Sequence, residues 1–147
     1  MSDLPRRVLA QWTAIGIARD DVDELRSALD YLARLERERR VVLPESFREL
    51  WQLSDGTASM DNHELLFWPL DNILEDPSLP DPRPEGFLLF ADQRLGARQF
   101  FVRFERGSER GVSTLRDTHP DDVRTIAPSF DAFLETYLAH PESLLLG

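Results

Sequence analysis

The sequence has no cysteine and no lysine. Without cysteine there are no disulfides and no thiolate chemistry, a composition that fits a reducing cytosol. All seventeen basic side chains are arginines. Apolar runs are short, none long enough to cross a bilayer. The N-terminus, MSDLPRRVLAQWTAIG, lacks the apolar core and small-residue cleavage site of an export signal. A soluble cytoplasmic protein is expected. Catalytic signatures are equally sparse. There is no HExxH zinc helix, no G-x-S-x-G elbow, and no phosphate-cradling glycine loop following a strand. Gly107-Ser108-Glu109-Arg110-Gly111 has two glycines but falls between predicted strands and lacks the required lysine.

What remains is a globular composition of ordinary domain size, 147 residues of which 41% are hydrophobic and 30% charged. The net charge of −10 is unevenly placed. Residues 1–40 balance eight acids with eight arginines, residues 41–85 set ten acids against two arginines, and residues 86–147 set nine against seven. An acidic middle third repels a phosphate backbone and attracts a basic partner, although acids also simply solvate a surface.

The pattern of apolar residues places the elements. Asp3-Leu4-Pro5 starts a short helix with Asp3 as its cap, burying Val8, Leu9, Trp12 and Ile15. Val22, Leu25, Leu29, Leu32 and Leu35 recur at three or four, predicting one helix over 21–39 closed by the basic ERERR. In LPESFRELWQLSDGT, Pro44 is pre-set for a first helical position, Phe47, Leu50 and Trp51 share a face, and Gly56 supplies the left-handed stop. Short strands follow at 64–70, 87–90, 99–104 and 112–115, with a helical turn at 71–74 between the first two. DPSLPDPRPEG, holding four of the ten prolines, is a loop. Ser129 caps a last helix that buries Phe130, Phe133, Leu134, Tyr137 and Leu138. Strands adjacent in sequence favour antiparallel pairing. The expectation is one α+β domain over residues 1–147, with N-terminal helices, a central antiparallel sheet of short strands and a C-terminal helix.

Two polar clusters hold the side chains that chemistry would need. Asp61-Asn62-His63-Glu64 offers oxygen ligands in a turn, and Thr118-His119-Pro120-Asp121-Asp122 offers acid–base groups in a connection before the last helix. Neither has the spacing of a metal or catalytic motif. No metal, cofactor or catalytic residue is assigned. RQFFVRFERGSER (98–110) interleaves arginines with aromatics. Alternation puts Arg103 beside Phe101, with Phe100 and Phe104 facing the core, and the overall acidity favours a protein partner over nucleic acid for that patch.

Taken in order, several of these segments resemble the SUKH superfamily, bacterial relatives of the yeast Smi/Knr cell-wall-synthesis regulators. They are the helix at 21–39, Leu43-Pro44-x-x-Phe47-x-x-Leu50-Trp51, Ser54-Asp55-Gly56 and Phe67-Trp68-Pro69-Leu70-Asp71-Asn72-Ile73. Leu88-Leu89-Phe90-Ala91-Asp92, Gly96 before Phe100, and Ile126-Ala127-x-Ser129-Phe130-x-x-Phe133-Leu134 continue the series. The likeness spans about residues 20–139. The stretch before residue 20 falls outside it, and Thr57-Ala58-Ser59-Met60-Asp61 replaces the usual glycine-rich turn. The resemblance implies an α+β fold without catalytic residues, and often an immunity protein that binds and neutralises a toxin. The expected partner is thus a protein, a basic toxin domain foremost. A general intracellular regulatory module is the alternative, and a small hydrolase built from groups distant in sequence is the third reading. No oligomeric state is indicated. Candidate contact residues are Asp55, Asp61, Glu64, Trp68, Asp71, Glu75, Asp76, Phe101 and Arg103.

Overall fold

The computed structural model describes residues 3–75, 86–95, 97–116 and 119–144. The proline-rich segment and the turn at Gly96 lie outside the described residues, as does Asp76; the side chains of residues 116–122 are not described.

The chain begins with α1 (Leu4–Ala14), which has proline in its first turn and buries Leu4, Val8 and Trp12. Asp3 makes no side-chain capping bond, and Ile15 is exposed. The helix expected over 21–39 is two helices, a single turn α2 (Val22–Leu25) and α3 (Ala28–Arg39). The break at Arg26 and Ser27 rotates the leucine stripe. Ala28, Leu32 and Leu35 go inward, whereas Val22 and Leu29 are 76% and 60% exposed. Leucine spacing alone could not reveal this, because the period is continuous across the break. Arg39, in the basic end of α3, does act at a helix C-terminus, but at that of α5 (Leu70–Glu75). Its guanidinium donates to the carbonyls of Ile73 and Leu74.

The next helix, α4 (Glu45–Leu53), turns Ser46, Phe47, Leu50 and Trp51 inward. Pro44 stands just before its first turn, and Ser54, in extended conformation, ends it. Phe47 and Trp51 stack at 4.2 Å, and Phe67, Phe90, Phe130, Phe133, Tyr137 and Trp12 extend the contact into a continuous aromatic core.

Five strands, not four, form the sheet: β1 (Leu65–Phe67), β2 (Phe87–Gln93), β3 (Arg98–Glu105), β4 (Ser108–Arg116) and β5 (His119–Ala127). They run as an antiparallel meander in sequence order. The stretch read as a connection, including His119, Asp121 and Asp122, is the edge strand β5. Its period-2 signal was hidden by Pro120 and two adjacent aspartates, which an edge tolerates. β1 stops at Phe67, and Leu70 already opens α5 rather than continuing the strand. One sheet face carries Leu88, Phe90, Phe100, Val102, Phe104 and Val112 into the main core beneath the helices. The other carries Leu89, Phe101 and Leu115, packed with Trp68 and Phe87. The last helix, α6 (Phe130–Ala139), is capped as expected, with Ser129 Oγ accepting from the N–H of Ala132 at 3.0 Å. A 3₁₀ turn (Pro141–Leu144) follows.

Candidate protein-binding site

The acidic candidates gather around the short segment that joins α4, β1 and α5. Asp55 follows α4 and reaches over to α5, where its Oδ1 accepts from the N–H of Leu70 at 2.8 Å. Burial pushes its carboxyl above the usual range, against the Leu70 hydrogen bond and Arg19, with Asp71 and Glu24 adding to the rise. Asp71 and Glu75 stand exposed at the two ends of α5. Glu64, before β1, is exposed in left-handed conformation (φ 64°) and pairs with Arg94 at 2.8 Å. Such an exposed pair contributes little to stability.

Asp61 and Phe101 are held inside. Asp61 is buried, its Oδ1 accepting from the N–H groups of His63 and Leu65 and its Oδ2 from the Tyr137 hydroxyl. Three donors on one carboxylate make it an internal clamp rather than a cation ligand. Phe101 is fully buried and stacks on Phe87 at 4.5 Å. Arg103 does lie on the same face, exposed, with its guanidinium 5.7 Å from the Phe87 ring centroid. Trp68 is half-buried between the two clusters, its indole donating to Asp92 Oδ2 at 2.7 Å. Asp55, Glu64, Trp68, Asp71, Glu75 and Arg103 therefore present accessible surface, whereas Asp61 and Phe101 support it from within.

A second feature was invisible in the sequence. The starts of α4 and α6 meet beside β4 and enclose a cleft of about 300 Å³, lined by Pro44, Glu45, Ser46, Glu49, Glu109, Ser129 and Asp131. Glu109, on β4, accepts from the N–H of Phe130 at 2.6 Å. Burial pushes its carboxyl up, the Phe130 hydrogen bond opposes this, and Asp131 adds to the rise. Ser46 is 5% exposed, and its Oγ finds no hydrogen-bond partner among the described residues. The sequence marks both helix starts, by Pro44-Glu45 and Ser129, but carries no sign that they converge on Glu109.

An unpaired buried hydroxyl destabilises, and its replacement by an apolar group of similar shape removes that cost. Ser46→Ala is therefore expected to raise the unfolding free energy by about 0.5–1.5 kcal/mol. Urea unfolding measures this, and a clear loss of stability would show that the hydroxyl has an internal partner.

Among the described residues, no group of three or more His, Asp or Glu side chains is placed to hold a metal ion. Nor is any helix there long and apolar enough to cross a membrane. The architecture is an α+β one, a five-stranded antiparallel meander with an aromatic core between one sheet face and the helices. Residues 27–136 match the SMI1 / KNR4 family (SUKH-1), and the chain belongs to that family. Among curated proteins, none matches the chain. The family match starts just before α3, yet α1 lies against α4 and α6, with Trp12 in the shared core.

Proposed function

We propose that residues 1–147 act as a single non-enzymatic protein-binding domain, an immunity protein that neutralises a cognate toxin by covering a basic surface on it. The observation that carries this reading is the excess of ten acids over two arginines in residues 41–85, with Glu64, Asp71 and Glu75 exposed there. Family membership supports partner binding, and the acidic excess supports a basic partner. In this reading Asp55, Glu64, Asp71 and Glu75, joined by Asp76 from outside the described residues, steer the encounter. Trp68 and Arg103 supply contact, with Asp61 and Phe101 holding the surface in shape. Rim charges act mainly on the association rate, and a few buried contacts carry most of the affinity.

The test is affinity capture from the producing cell's lysate and culture supernatant, followed by association kinetics with the captured protein. A single stoichiometric partner with a basic domain is expected. Raising salt from about 0.05 to 0.5 M should slow its association at least about tenfold. Asp71→Arg combined with Glu75→Arg should slow it further while leaving thermal stability unchanged. A salt-independent rate would sink the steering idea. Capture of several envelope-synthesis proteins instead of one partner would favour the regulatory module.

A further inference from the structure

We draw no further inference here: the strongest candidate, the apolar sheet face of Leu89, Phe101 and Leu115 that points away from the helices and is flanked by Trp68 and Phe87, carries nothing because nothing among the described residues shows what covers it.

Discussion

Tyr137→Phe is expected to destabilise the protein by about 3 kcal/mol, although it removes a single oxygen. That oxygen joins three distant parts of the chain. Trp12 Nε1 of α1 donates to it at 3.0 Å, and it donates in turn to Asp61 Oδ2 at 2.6 Å. Asp61 then fixes the turn before β1 through the N–H groups of His63 and Leu65. All three side chains are buried. The phenylalanine variant leaves an indole N–H without a partner and takes one donor from a buried carboxylate. A hydrogen bond to a charged group contributes about 1.5–3 kcal/mol, and an unpaired buried polar group adds about 1–3 kcal/mol of penalty. Equilibrium unfolding in urea reads the difference. A loss below about 1 kcal/mol would mean that the hydroxyl bridge is dispensable.

The same residue sets a pH dependence. Burial first, then the negative charge and hydrogen bond of Asp61, push the Tyr137 phenol far above its ordinary value of 10.0. Above pH 10 the unfolded chain releases this proton while the folded chain retains it, so the folded state binds more protons. Stability contributed by the neutral phenol is complete below the unfolded value and falls as pH rises beyond it, by about 1.4 kcal/mol per pH unit. The absence of lysine and cysteine makes this limb easy to read. The chain has only two tyrosines, and arginine stays charged throughout. Unfolding measured from pH 9 to 11.5 should show the decline in the parent protein and a flatter profile in Tyr137→Phe. Equal slopes would remove Tyr137 as its source.

The difference between legible and hidden features follows from the range of the interactions. The Phe47-Leu50-Trp51 face and the cap at Ser129 are local, written within one helical turn, and both stand in the structure. The alternation that put Phe101 and Arg103 on one face of β3 also holds. What the residues could not reveal were tertiary choices. Asp61 looked like a turn acid open to solvent, because its donor Tyr137 lies 76 residues away. Phe101 looked available as a contact because sheet alternation defines two faces without saying that the second is also packed. Arg39 was legible as a helix cap, but not as the cap of a different helix. The cleft at Ser46 and Glu109 depends on two helix starts meeting a strand.

Gly56 shows the same limit, and its substitution has the larger expected effect. Its conformation was legible: it takes a positive φ, 70°. Its task was not, since α4 has already ended at Leu53 and Ser54 is extended. Gly56 lies where the chain after α4 presses against the end of β1. The Thr57 N–H donates to the Phe67 carbonyl, Phe67 N–H donates back to Thr57 Oγ1, and Trp51 Nε1 donates to the Trp68 carbonyl. A β-carbon on Gly56 would collide with the Phe67 carbonyl oxygen and lie 2.6 Å from that of Trp68. These are backbone atoms already committed to hydrogen bonds, so neither can retreat without opening the pairing. Gly56→Ala is therefore expected to cost about 4 kcal/mol or more, combining left-handed strain with the collision. Gly16→Ala is the control. Gly16 has a similar φ of 76° but nothing within 4 Å of the added carbon, so only strain of about 1 kcal/mol applies. Comparable losses in the two variants would show that conformation alone governs Gly56. A much larger loss at Gly56 would locate the effect in the close approach to β1, and there it reaches the proposed surface. Asp55, which holds the start of α5, is the residue immediately before it. Displacement of Gly56 should then also release the Leu70 N–H from Asp55, which amide exchange at Leu70 would detect as faster in any folded Gly56→Ala protein than in Gly16→Ala.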